Sequence, residues 1–247
     1  MLENGTRSKS HPGTEVFPVI DRNAIFRDSI PSSIPLPPAM PEAVMRLQLL
    51  ASSHGVDLHT LTEVVRNDIG LTVQLLHIAT LEAGPRSAES ANIAELIVHL
   101  GLDRLRQLAE MTDVVSFSSG SLKARRWQLF CMQARSLGRF TEELAWKASS
   151  SDANVAFVAG LLRHLGSVPS LLGWDSSDDE SQDEGETGCR LLAAWHLPCI
   201  LADVVRGGAN DSSSQRSRSL LTLVEAAEQQ TWRPDAPTYA NSTPMFR

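Results

Sequence analysis

Asn92-Ile93-Ala94-Glu95-Leu96-Ile97-Val98-His99-Leu100-Gly101-Leu102-Asp103-Arg104-Leu105 is the stretch from which the fold is read. Asn92 followed three residues later by Glu95 resembles a capping box, with asparagine placed to take a free backbone N–H of the first helical turn. Ile93, Leu96, Ile97 and Leu100 recur at helical spacing, and Gly101 offers a C-terminal stop. Leu102, Leu105, Leu108, Ala109 and Val115 then begin a second stripe. Two apolar stripes with almost no connection between them predict short helices packed into a bundle.

The same pattern repeats towards the N-terminus. Leu71, Leu75, Ile78 and Ala79 form one stripe, and Leu58, Leu61, Val64 and Val65 another, after Asp57 as its N-cap. Val44, Leu47, Leu50 and Ala51 form a third. Ahead of them lies Ile34-Pro35-Leu36-Pro37-Pro38-Ala39-Met40-Pro41, whose prolines hold the backbone extended until Pro41 suits a first helical turn. Residues 1–33 are polar, broken by Pro12, Pro18 and Pro31, and read as a flexible arm.

Towards the C-terminus, Ser118-Ser119-Gly120-Ser121 precedes one long helix from Leu122 to Lys147. A further helix from about Asp152 runs through Gly160-Leu161-Leu162-Arg163-His164-Leu165-Gly166, and Pro169 and Leu171-Leu172 end it. The acidic, serine-rich run Asp175 to Glu186 reads as a solvated loop. Helices resume over Gly188–Trp195 and Pro198–Arg206, Gly207–Ser219 is a polar loop, and Leu220–Trp232 is the last helix. No period-two pattern competes. The expectation is an all-α, multi-helix domain over 34–232, with an N-terminal five-helix half (34–117) packed on a second helical half (121–232), and a tail at 233–247.

The chain has 247 residues, enough to bury a substantial core, and its 42% hydrophobic and 21% charged residues are ordinary for a globular protein. Its formal charge of −7 is local. Asp175 to Glu186 holds seven acids and no base, and without them the 22 remaining acids equal the 22 Lys and Arg. That balance argues against a general nucleic-acid surface, which needs a basic excess. Cys131, Cys189 and Cys199 are too few and too scattered for a disulfide framework or a zinc motif. The N-terminus lacks an apolar signal core, and no uninterrupted run approaches the ~18 apolar residues of a membrane span. The reading is a cytoplasmic protein.

Gly160 to Gly166 poses the chemical question. It has the frame of a G-L-L-H-D-I-G helix, in which an adjacent His-Asp pair holds a metal for phosphate-ester hydrolysis. Arg163 and His164 stand in their places. A guanidinium does not ligate a divalent cation, and a lone imidazole has lost its carboxylate neighbour. Arg163 could instead take an anion bidentately, or simply extend to the surface. His54, His59, His77, His99 and His196 show no H-E-x-x-H spacing, and no nucleophile elbow, Walker loop or dinucleotide fingerprint occurs. Cys131 lies in an apolar helix and reads as core. Leu102 to Val115 would expose Arg104 and Arg106, as a DNA-reading helix does, but its leucine stripe and neutral context fit bundle packing better.

The order of these segments resembles the HDOD family, a branch of the HD-domain superfamily in bacterial signalling and regulatory proteins. The resemblance rests on Leu36-Pro37-Pro38-Ala39-Met40-Pro41, Asn67-Asp68 with Leu71-Thr72, Leu75-Leu76 and Ala79, and most strongly Ile93 through Leu105. Gly160-Leu161-Leu162 with Gly166, and Trp195-His196-Leu197-Pro198, complete it over residues 34 to 232. Thr80-Leu81-Glu82 departs from the family's N-S-A. Trp127-Gln128-Leu129 lacks a histidine often found after the tryptophan, and Arg206-Gly207-Gly208 lacks a histidine pair. Leu129, Arg163 and His164 thus mark a degenerate pocket.

The resemblance, with these losses, implies a non-catalytic signal-transduction module acting through protein–protein contact, with no cofactor, no bound metal, no nucleic acid and no membrane. Its partners would be signalling proteins, in two-component or cyclic-dinucleotide settings. The alternatives are a divergent metal-dependent phosphohydrolase, and a sensor that binds a nucleotide or anion in the vacated pocket.

Overall fold

Pro35, Pro37 and Pro38 have no N–H to offer, so Ala39 is the first residue after them able to enter a backbone ladder. It does so at once. Ala39 N donates to Asp113 O at 2.9 Å and Val115 N donates to Ala39 O at 2.9 Å, an isolated parallel bridge that pins the extended segment beside the end of the fourth helix. The computed structural model describes residues 34–53, 55–83, 91–117, 121–148, 152–174, 183–211 and 213–231. The expected arm (1–33), the tail (233–247) and most of the acidic run lie outside them.

The helices are α1 Pro41–Ser52, α2 Leu58–Arg66, α3 Ile69–Ala83, α4 Ile93–Met111, α5 Leu122–Lys147, α6 Ala153–Leu162, α7 Val168–Leu172, α8 Glu184–Ala194, α9 Ala202–Arg206 and α10 Gln215–Thr231. Short 3-10 turns at Leu165–Ser167 and Cys199–Leu201 join α6 to α7 and α8 to α9. The architecture is all-α, as the periodicity requires. Caps act where expected: Asp57 accepts from Thr60 N at 3.1 Å, and Asn92 from Glu95 N at 3.4 Å. Gly101 (φ 77°, ψ 169°) kinks α4 into two halves.

In the N-terminal half, α1, α2 and α3 pack on α4. Asp68 is its buried organiser. It accepts from Leu71 N (2.9 Å) as the cap of α3 and from Met40 N (2.8 Å) at the start of α1. Burial pushes its carboxyl upward against those two donors. Arg104, expected to be exposed, is buried instead, 2.6 Å from Glu82. The glutamate that breaks the family's N-S-A pattern is therefore the partner that lets a guanidinium enter the core.

In the other half, α5 packs on α6 and α10. Gly160 permits the close crossing of α5 and α6, because a Cβ there would meet Thr141 Oγ1 at 2.6 Å and Gly138 Cα at 2.8 Å. Every residue from Val155 to Leu162 is buried. By length and apolarity the stretch Ala153–Leu172 would suffice to cross a membrane, although no unbroken apolar run was found in the sequence. Two-thirds of it (67%) is buried inside the protein, so core packing accounts for the composition.

The two halves meet through charge and aromatic contacts. Arg66 pairs with Glu142 and lies 3.9 Å over the ring of Phe157, while Arg139 reaches Glu63 and Asn67 at 3.1 Å each. His77 Nδ1 stands 2.6 Å from Trp195 O.

Three boundaries differ from expectation. α6 stops at Leu162 rather than running through Gly166. Pro169 lies within α7 rather than ending that part, and without an N–H it cannot bond to Leu165 O in a continuous helix. Gly166 also presses so closely on α8 that a Cβ would stand 1.8 Å from Glu184 O. The end of the acidic run is helical: Asp183 accepts from Gly185 N at 3.0 Å, and Glu184 and Glu186 complement the positive end of α8. α10 begins at Gln215, where Ser214 Oγ accepts from Ser217 N at 3.1 Å.

Candidate functional site

Ending α6 at Leu162 puts Arg163 and His164 in the turn that follows it. Arg163 remains α-helical in φ and ψ, while His164 (φ −101°, ψ 33°) leaves the helix. Both side chains converge on one carboxylate from α10. Arg163 Nε donates to Glu228 Oε2 at 3.1 Å, and His164 Nε2 lies 3.0 Å from Glu228 Oε1. Arg163 Nη1 also donates to Val204 O at 2.7 Å, satisfying a carbonyl in the last turn of α9. The three side chains are 16–22% exposed. The His164 hydrogen bond, and then the Arg163 charge, hold the Glu228 carboxyl below the usual carboxylate range despite its partial burial.

Gly207 completes the arrangement. It ends α9 in the left-handed conformation (φ 80°), and a Cβ on it would come within 3.0 Å of Arg163 Nη1. The departures Arg163 and Arg206-Gly207-Gly208 are therefore spatially linked: the glycine leaves the room that the arginine fills. Leu129 is placed elsewhere in kind. It lies on the open face of α5 with 44% of its surface exposed.

This donor set does not fit a metal. It offers one imidazole and one carboxylate, with both carboxylate oxygens engaged and a guanidinium at 3.1 Å. A divalent ion would have to displace an arginine from its own counter-charge. Among the described residues no group of three or more His, Cys, Asp or Glu could hold a metal ion.

Glu228 was not singled out from the sequence. The signal was there: it falls four residues after the buried Val224, on the core-facing stripe of α10, where a charged residue needs a partner. His77 was likewise passed over. It is buried, stacks on His196 with ring centroids 6.0 Å apart, and burial pushes its pKa down. His196 has φ 52°, a left-handed turn that lets Leu197 N reach Leu192 O at 2.9 Å. Burial pushes the Cys131 thiol up to about 12, which suits packing rather than nucleophilic chemistry.

Two clefts open elsewhere. One of about 420 Å³ is lined by Asp203, Arg206, Asn210, Ser213, Arg216 and Ser217. Its cations are already countered, Arg206 by Asp203 at 3.4 Å and Arg216 by Asp152 at 2.7 and 2.8 Å. The other, of about 440 Å³, lies where Met40 and Glu42 face Phe117, Arg125 and the buried Trp127.

A family model for the HDOD domain matches residues 37–173, more than half of the chain. The chain belongs to the HDOD family. Two solved structures share the HDOD fold seen here. The response regulator MmoQ of Methylococcus capsulatus strain Bath is 18% identical, with a TM-score of 0.59 over 78% of this chain and 83% of that one. A virulence factor of Campylobacter jejuni is 15% identical, with a TM-score of 0.57 over 86% of this chain and 84% of that one. No curated protein sequence matches the chain.

Proposed function

We propose that this HDOD protein is a non-catalytic regulatory module of the bacterial cytoplasm that transmits signals by contact with other signalling proteins. One observation carries the reading: Arg163 and His164 both close on Glu228, so the ligand frame of a phosphohydrolase is held together by an internal ion-pair cluster. The fold is retained while the two positions that would bind a cation both close on the carboxylate of Glu228. The likeness to a response regulator in fold supports a signalling context. The anion-sensor reading is weakened by the same contacts, because Arg163 is committed to Glu228 and Val204 O.

Four measurements test the proposal. Metal analysis of the purified protein is expected to find no stoichiometric Fe, Mn or Zn. Assays with phosphodiesters and Mn²⁺ are expected to show no turnover. Hydrolysis at enzyme-like rates that disappears in His164→Ala would overturn the reading. Affinity capture from the native cell, with partners identified by mass, is expected to return signalling proteins, and a thermal-shift panel of nucleotides is expected to leave the melting temperature unchanged.

A further inference from the structure

Asp203, on α9, is only 6% exposed and forms part of the wall of the cleft of about 420 Å³ beside α10. A buried carboxylate ordinarily takes several donors, because an unmet charge in the interior is costly. Asp68, buried to a similar degree, accepts two backbone N–H groups at 2.8 and 2.9 Å. Asp203 has much less. Its one side-chain contact is Oδ1 with Arg206 Nη1 at 3.4 Å, well beyond the roughly 2.7–2.9 Å of a charge-assisted hydrogen bond. Its Oδ2 has no partner among the described residues, and neither do Nε and Nη2 of the exposed Arg206. Each member of this loose pair has room for a second partner.

The surrounding charges decide what that partner is. Asp203 and Asp152 stand against Arg206 and Arg216, and Arg216 is held at both Nε and Nη2 by Asp152, so the charges at the cleft sum to zero. A simple anion reaching Arg206 would meet the Asp203 carboxylate, and a simple cation reaching Asp203 would meet Arg206. A polyol could donate to Asp203 but would leave the Arg206 donors facing a neutral group, which makes the weaker bond. A ligand with both signs on adjoining groups satisfies each side. An α-amino acid carries its ammonium and carboxylate on one carbon, a separation suited to two groups whose nearest atoms lie 3.4 Å apart. Ile200 and Ala202 add apolar wall for its side chain, and the volume falls within the roughly 300–1,000 Å³ of small-molecule sites.

We propose that the cleft beside α9 and the start of α10 binds a free α-amino acid, its ammonium on Asp203 Oδ2 and its carboxylate on Nε and Nη2 of Arg206. Such a site would serve a regulatory module and an enzyme alike. Calorimetric titration of the full chain with each of the twenty common L-amino acids tests it, followed for the tightest by its N-acetyl and methyl-ester forms. At least one amino acid is expected to bind with one-to-one stoichiometry. Both blocked forms are expected to bind at least about tenfold more weakly, since each removes one charge from the pairing. Asp203→Asn and Arg206→Gln are each expected to weaken binding by at least about tenfold for the same reason. Arg206→Gln, at an exposed position, and the blocked ligands keep the test decisive if Asp203→Asn fails to fold. No binding by any of the twenty overturns the proposal. So does a blocked form that binds as tightly as the free amino acid, or an affinity unchanged in Arg206→Gln.

Discussion

Arg163 and Gly207 occupy one space between them: the Nη1 atom of the arginine lies 3.0 Å from where a Cβ on residue 207 would stand. Gly207→Ala therefore meets two penalties, a left-handed backbone and a displaced guanidinium. A loss of about 1 to 3 kcal/mol is expected by urea unfolding. In an Arg163→Leu background the same change should cost only the backbone component, about 1 kcal/mol. Equal costs in both backgrounds would show that the two residues are not coupled.

Glu228→Ala strips both Arg163 and His164 of their shared carboxylate while leaving them less than a quarter exposed. The expected cost is about 1 to 3 kcal/mol, reduced from a fully buried pair by the remaining solvent access. With a chain of this length, that corresponds to a fall of several degrees in melting temperature. Glu228→Gln should be milder, since the amide oxygen can still accept one of the two bonds.

The same residue gives the protein an acid limit. Its folded pKa lies below the ordinary value of 4.5, so as pH falls below that value the unfolded chain takes up a proton that the native chain refuses. Stability from the cluster is complete above about pH 4.5 and is lost as pH drops through the folded pKa. Unfolding free energies measured from pH 6 to 3 should fall less steeply in Glu228→Gln than in the wild type.

His77 acts earlier in the same direction. Burial lowers its pKa from 6.5, so below about pH 6.5 the unfolded state binds a proton that the native state excludes. Stability should decline between neutrality and pH 5. His77→Asn keeps a donor for Trp195 O and removes the titration, so its stability is expected to be lower at pH 7.5 but flatter below it. An unchanged pH profile would mean that His77 is not the group responsible.

Gly160→Ala drives a methyl group into Thr141 and the backbone of Gly138, and is expected to cost about 1 to 3 kcal/mol by overpacking. Gly166→Ala should be worse, because the atom it meets is the main-chain Glu184 O and no rotamer can yield. Comparing the two melting temperatures checks the order.

What the sequence disclosed was local, and what it hid was distant. Asp57, Asn92 and the ends of α5 follow from caps and periodicity within a few residues, so they read directly. The kink at Gly101 and the early stop of α6 are also local in cause, but Gly166 is required by a helix eighteen residues further on, which no window around it reveals. The start of α10 was missed because Gln215 to Ser219 are polar residues, most of them on an exposed face that carries no apolar stripe. The candidate site was half legible. Arg163 and His164 stood out as the wrong residues in a familiar frame, yet their partner Glu228 is 65 residues away and becomes visible only when the halves of the pocket are brought together.

The contacts of Arg163 also bear on where this domain can be cut. The family signature ends at residue 173, but Val204, Gly207 and Glu228, which hold that arginine, all lie beyond it. A fragment trimmed to the signature would keep the guanidinium and discard everything that neutralises it, exposing the apolar wall of α6 at the same time. The unit of recognition in the sequence is thus shorter than the unit of folding, and any transplant of this domain into another protein must carry the chain through α10.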